Sequence, residues 1–451
     1  MDPVFLARVQ FAMTVGFHFL FPPISIGLAW MVTILEGLGW RKNSAVYQSA
    51  GKFFGKLLAL TFAVGVATGI VMEFQFGTNW AEYSKFVGDI FGAPLAAEGV
   101  FAFFLESGFL GLYLFGRNRV SKGVHWFSSL MVAVGSTLSA FWIIVANSWQ
   151  QTPAGFVVRN GRAELTSFFD AVFNPSTLVR YFHTVDAALM CGAFFAAGIS
   201  AYFILSKKHL DVAKATMKVA LIFGFIVSLL ELFPFGHTHA QQVARTQPEK
   251  FAAIEGLYTT KTGAPLVIFG LPATSIPPEM KGAVEIPGLL SWMAFGDINA
   301  EVKGINDFPP DRVPPLAITF ISFHTMVGLG TLFILVMMLG LLQLYRKKLW
   351  TSTKLLKIML WSIPLPVAAC QFGWIAAEVG RQPWIVYGLL RTSHAASVTV
   401  TAGEILFSII MFALIYILLL ALYLFLLRKE VKHGPDLIMK TEEKTLKLQE
   451  A

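Results

Sequence analysis

The chain has 451 residues, 55% hydrophobic, 14% aromatic and only 14% charged, with a formal charge of +8. That much apolar surface exceeds what a soluble domain of this length can hide, which excludes a soluble enzyme and leaves an integral membrane protein. The positive charge does not mark a nucleic-acid binder, because it lies in short segments between apolar runs and sorts by membrane side.

Nine apolar stretches are long enough to cross a hydrocarbon core of roughly 30 Å, which takes about 20 helical residues. The first, 11–37, carries His18 just ahead of Pro22 and Pro23; it follows "MDPVFLAR" and is too long for a cleaved leader, so it reads as a retained helix. The second and third, 53–74 and 93–116, bring in Glu73, Glu98 and Glu106. The fourth, 124–147, leads through a connection over 148–178 to the fifth, 179–204, which opens on His183, and then to the sixth, 215–236. Residues 237–316 are the one large extramembrane segment. They are rich in Pro, Gly and acidic residues, read as strand-poor, and are longer than a connection requires, as functional loops tend to be. The seventh stretch, 317–345, holds Met326, the eighth, 356–378, ends on Glu378, and the ninth, 401–427, precedes a solvated tail.

The expected fold is therefore all-α and polytopic. It has a six-helix membrane portion over 1–236, the loop at 237–316, a three-helix portion over 317–427 and a tail over 428–451. With the N-terminus outside and the C-terminus inside, 22 of the 35 basic residues fall on the inner side, although the outer segments are longer. The opposite orientation violates the positive-inside rule at every inner loop. Cys191 and Cys370 both fall within spans and read as two apolar thiols rather than a disulfide framework.

Ionisable and ligand-type groups inside spans cost about 2.5–3.5 kcal/mol each on insertion scales, so each needs a partner or a task. With this orientation, His18, His183, Met326, Glu73, Glu98 and Glu378 all fall in the outer half, while Glu106 lies near mid-membrane. Imidazole, thioether and carboxylate are groups that hold haem iron or line its pocket. A lone intramembrane histidine is nonetheless more often a helix-to-helix hydrogen-bonding group, a methionine is usually packing, and Glu73 suits a solvated helix end. Glu98 and Glu106 lie about 12 Å apart along a helix axis and about 80° apart around it, a spacing suited to successive proton stations. On these residues alone, a proton-coupled secondary transporter stands equally with a redox protein, and a noncatalytic scaffold gives no reason for the buried acids and histidines.

Four stretches carry a more specific signal: the 72–116 run from "MEFQFGTNW" to "FFLESGFLGLYLFG", "HTVDAALMCG" at 183, "QPEKFAAIEG" at 247–256 and "EVGRQPWIVYG" at 378–388. Over essentially its whole length the chain resembles subunit I of the bacterial cytochrome bd-type quinol oxidases, of the short-loop kind. The resemblance implies a multi-pass subunit of the bacterial cytoplasmic membrane that oxidises ubiquinol or menaquinol outside. It reduces O₂ to water with protons from inside, generating a proton motive force without pumping. It implies three cofactors: a low-spin haem b on His183 and Met326, and a high-spin haem b and a chlorin-type haem d on His18 and Glu378. It further implies Glu98 and Glu106 as proton carriers, Lys250 and Glu255 as the quinol-oxidising pair, a second large subunit, a small single-helix subunit as an additional partner, and lipid around them. Arg381 is then placed to neutralise Glu378 or a haem propionate, "QPW" turns the chain out of the helix, and Trp384 suits both the membrane interface and a haem edge.

The chain departs from the family pattern two residues before Met326, where His324 stands in place of a common arginine. Positions two apart on a helix point about 200° away from each other, so His324 and Met326 cannot both face one iron.

Overall fold

A computed structural model describes residues 2–272 and 280–436; the remainder of the loop call at 273–279 and of the tail call at 437–451 lies outside the described residues. Among the described residues, eight helices are long and apolar enough to cross a membrane, and nine when a bent pair is counted as one span. The nine expected spans correspond to these, with longer ends and four breaks that the apolar pattern alone does not show.

The breaks have local causes. The first span is two helices, Pro3–His18 and Pro22–Arg41, separated where Pro22 and Pro23 withhold amide hydrogens from the preceding turn. His18 is thereby the last residue of its helix. The eighth is the bent pair Thr353–Trp361 and Leu365–Val379, angled by 40° at Pro364. The third runs Ala81–Gly116 through a π-helical turn over Glu98–Phe103. That turn adds residues to one helical turn, so the 80° expected between Glu98 and Glu106 on an ideal α-helix does not apply. The sixth continues through a second π-turn, Glu231–Gly236, into His237–Thr246.

Helix Thr177–Leu205 is the most enclosed of the spans and packs against Pro22–Arg41. Its Gly192 meets Gly27 backbone to backbone, so closely that a Cβ on Gly192 would fall 2.1 Å from a Gly27 carbonyl carbon. Small residues permit this approach where lipid offers no hydrophobic drive between helices. At one end of the bundle a buried acid that the sequence reading passes over, Glu36, is ion-paired with Arg117 and accepts the Tyr113 hydroxyl at 2.9 Å.

The segment over 237–316 corrects the expectation of a strand-poor loop. It opens with helices His237–Thr246 and Pro248–Glu255, the latter ended by Gly256 in the left-handed region. It then forms an antiparallel hairpin of Leu266–Pro272 with Met280–Ile286, and a second pairing of Lys261–Thr262 with Glu301–Val302. Val243, Phe251, Ile254, Leu257, Leu290 and Val302 give it a small core of its own. The connection at 148–178 likewise holds a hairpin, Phe156–Arg159 with Arg162–Leu165. The fold remains all-α in its membrane part.

Candidate functional site

The residues singled out in the sequence converge on one cavity of about 1920 Å³, lined by His18, Glu73, Glu98, Glu106, His183, Met326, Glu378 and Arg381 from the spans and by Lys250 and Glu255 from the loop. A pocket for a single drug-sized molecule takes roughly 300–1,000 Å³. This space suits more than one large ligand.

The two histidines are held alike. The Thr68 hydroxyl donates to the Val64 carbonyl at 2.9 Å, or alternatively to Gly65 at 3.0 Å, so at its 3.0 Å contact with His18 Nδ1 it is the acceptor. His18 is therefore protonated on Nδ1, and its Nε2 keeps a free lone pair on a ring that lines the cavity. Gly69 makes room for that ring, since a Cβ there would stand 3.2 Å from His18 Cε1. His183 sets Nδ1 3.0 Å from a Glu231 carboxylate oxygen, an ion-pair distance without hydrogen-bond alignment, and among the described residues no hydrogen bond occupies its Nε2. A carboxylate or other acceptor on one ring nitrogen, fixing the tautomer so that the other can bind a metal, is the usual support for a histidine ligand. The His239 ring meets the His183 ring edge-on at 4.9 Å.

His324 is arranged in the opposite way. Its Nδ1 faces the Phe320 carbonyl at 3.1 Å and its Nε2 the Val267 carbonyl at 2.9 Å, so neither nitrogen is offered to the cavity. Met326, two residues on, lies against Gly373, where a Cβ would come within 2.7 Å of its sulfur. Of the two side chains, only the thioether is free.

Glu378 ends helix Leu365–Val379 and is ion-paired with Arg381 one turn later. It also accepts from Asn147 Nδ2 at 3.0 Å, and Asn147 in turn accepts from Arg180. Lys250 reaches the same place by donating to the Ala377 carbonyl at 2.9 Å and to Gln151 at 3.2 Å. Two guanidiniums and an amine thus surround one carboxylate. Burial first, and Arg180 next, push the Lys250 amine well below its ordinary range. The Nε atoms of Arg180 and Arg381 are buried without a partner. A buried excess of cations with unspent donors is a wall built for anionic groups such as carboxylates.

Glu255 stands apart from Lys250. The two are five positions apart on helix Pro248–Glu255, about 140° around the axis. Glu255 is buried, its Oε2 has no hydrogen-bond partner among the described residues, and burial pushes its carboxyl up to about 8. Among the described residues no ion pair joins it to Lys250, whose amine is spent on Ala377 and Gln151. Trp384 also differs from expectation: it does not line the cavity and instead lies 5.1 Å from the Arg391 guanidinium. The cavity tryptophan beside Glu378 is Trp374, one turn earlier on the same helix.

Farther along the cavity, Ser139 donates to Glu98 at 2.7 Å. Glu106 is buried against Gly135, whose added Cβ would lie 2.8 Å from the Glu106 Cβ. Sequence reasoning passes over Arg180, Glu231, His239, Asn147 and Trp374. Three of these had a visible signal: Glu231 is a carboxylate inside the sixth apolar stretch, Arg180 precedes His183 by one turn, and Trp374 precedes Glu378 by one.

Comparison with known proteins agrees with this architecture. Residues 6–435 match the family described as cytochrome bd terminal oxidase subunit I. The chain is 43% identical over 446 residues to the Bacillus subtilis (strain 168) cytochrome bd ubiquinol oxidase subunit 1, covering 97% of this chain and 95% of that protein. It is 36% identical to the Escherichia coli (strain K12) cytochrome bd-II ubiquinol oxidase subunit 1, covering 98% and 99% respectively. Among solved structures, the bd oxidase from Geobacillus thermodenitrificans superposes with a TM-score of 0.91 at 31% identity, covering 96% of this chain and 99% of that one. With the family match over residues 6–435, the relatives' sequences and the fold in agreement, the chain belongs to the cytochrome bd terminal oxidase subunit I family.

Proposed function

We propose that this chain is the haem-bearing subunit of a bacterial membrane respiratory oxidase that takes electrons from quinol and reduces O₂ to water, working with a partner subunit. The observation that carries the reading is the pair of cavity imidazoles, His18 with Nδ1 hydrogen-bonded to Thr68 and His183 with Nδ1 at ion-pair distance from Glu231, beside a wall of excess buried cations. Those donors fit haem: nitrogen, thioether and carboxylate for iron, and guanidiniums for propionates. Haem, when bound, supplies the electron relay and the O₂-reducing centre. Family membership leaves no ground for the transporter reading.

At finer grain, His183 and Met326 hold a low-spin haem b, and His18 and Glu378 hold the high-spin haem b and the chlorin-type haem d. Arg381 and Arg180 donate to propionates, and Arg381 pairs with Glu378. Quinol binds beside Glu255, whose unpartnered Oε2 takes a proton from the quinol hydroxyl and passes it to the outer side. Lys250 orients the helix end that carries Glu378 through the Ala377 carbonyl, instead of pairing with Glu255. Glu106 and then Glu98, the latter poised by Ser139, hold protons drawn from the inner side. Release on one side and uptake on the other separates charge without a pump. The N-terminus is outside and the C-terminus inside, ubiquinol or menaquinol is the donor, and a small single-helix subunit and lipid complete the assembly.

Reduced-minus-oxidised absorption of the purified complex tests this directly. Bands of low-spin haem b, high-spin haem b and a chlorin are expected, and a protein without haem bands overturns the proposal.

A further inference from the structure

Cys191 and Cys370 are the chain's two cysteines, and their Sγ atoms stand 3.8 Å apart although 179 positions separate them. A buried residue touches roughly 6–12 others, so two positions taken at random from a chain this long would meet about one time in fifty. Cys191 is buried on helix Thr177–Leu205, whereas Cys370, on helix Leu365–Val379, is partly open and lines the cavity. Each lies two turns, about 12 Å, from the ligand candidate on its own helix, His183 in one case and Glu378 in the other. The sequence reading treats them as inert apolar thiols; their contact is visible only in three dimensions.

We propose that Cys191 and Cys370 form an oxidisable dithiol, which a peroxide entering the cavity closes into a disulfide tying the two helices together. The Cys370 sulfur attacks one peroxide oxygen, the O–O bond breaks, and water leaves with the thiol proton, so that Cys370 becomes a sulfenic acid. The Cys191 sulfur displaces that oxygen, which departs with the second thiol proton as a second water while the S–S bond forms. Two thiols lose two electrons and the peroxide gains both. The order follows from access: Cys370 faces the cavity, and Cys191 is reached through it.

Closure brings the sulfurs from 3.8 Å to about 2 Å. Helix Thr177–Leu205 is locked against its neighbour at Gly192 and Gly27, whereas Leu365–Val379 begins at the 40° bend beside Pro364. The movement therefore falls on the helix that carries Glu378, and oxidation slows turnover by displacing it. The dithiol stands on its own geometry; only its effect on turnover rests on the oxidase reading.

The test treats the purified complex with hydrogen peroxide, alkylates free thiols after denaturation and maps cysteine peptides by mass spectrometry. The expected result is a Cys191–Cys370 cross-linked peptide and a several-fold loss of quinol oxidation, both reversed by dithiothreitol. Cys370→Ser, measured against its own untreated activity, should show neither effect. Both cysteines remaining fully alkylatable after peroxide would overturn the dithiol, and an equal reversible loss in Cys370→Ser would overturn the strap. A cross-link in a protein that lacks haem bands would sink the oxidase reading and leave the dithiol standing.

Discussion

Thr68 shows how much one hydroxyl settles. By donating to its own helix it can only accept from His18, and that fixes which imidazole nitrogen faces the cavity. Thr68→Val keeps the shape and removes the acceptor, so the haem-to-protein ratio should fall and the high-spin bands should weaken, following the 10–100-fold loss typical when a ligand's support is removed. Met326→Leu should convert the low-spin spectrum, whereas His324→Leu should leave it intact, because both His324 nitrogens are spent on carbonyls. An unaltered low-spin spectrum in Met326→Leu would transfer the ligand role elsewhere. Glu255 predicts a pH profile. Burial raises its carboxyl to about 8, so it is protonated at neutral pH, and proton acceptance needs the ionised form. Quinol oxidation should therefore rise as pH increases through about 8. Glu255→Gln should be slow and flat over that range with all haem bands retained; a wild-type profile in that variant would remove the assignment.

The elements matter through their interruptions. Prolines end helix Pro3–His18 at the histidine, at a break within the first span, and Glu378 lies in the last turn of helix Leu365–Val379, so both candidate ligands sit where a helix gives out. The π-turn at Glu98–Phe103 sets the bearing of Glu98 relative to Glu106. Where helix Leu365–Val379 passes Met326, Gly373 leaves the space that the sulfur fills. Gly373→Ala should force the thioether aside and shift the low-spin band, and Gly373→Val should do so more strongly. An unshifted band in both would show that the sulfur is not held there.

At the scale of the whole molecule, the proposed orientation puts the basic loops inside and the 237–316 segment with the proposed quinol residues outside, so that electron input and proton uptake lie on opposite membrane sides. A reporter fused after residue 433 should report the inner side, and one inserted near residue 297 the outer side; the reverse result would exchange the proposed directions of proton release and uptake. Membrane class, the number of spans and the family were legible in the chain alone, because apolar run length and basic-residue asymmetry are linear properties that partition into lipid without knowledge of neighbours. The identity of most cavity groups was legible too, since a charged or imidazole side chain within an apolar run is conspicuous wherever it packs. What only the tertiary structure decided is contact: that Lys250 reaches Ala377 and not Glu255, that Trp374 and not Trp384 borders the cavity, that His324 clasps the hairpin, and that two distant thiols touch. Each depends on the rotation and breakage of helices about their axes. A turn of about 100° per residue makes such placements sensitive to a single proline or π-turn.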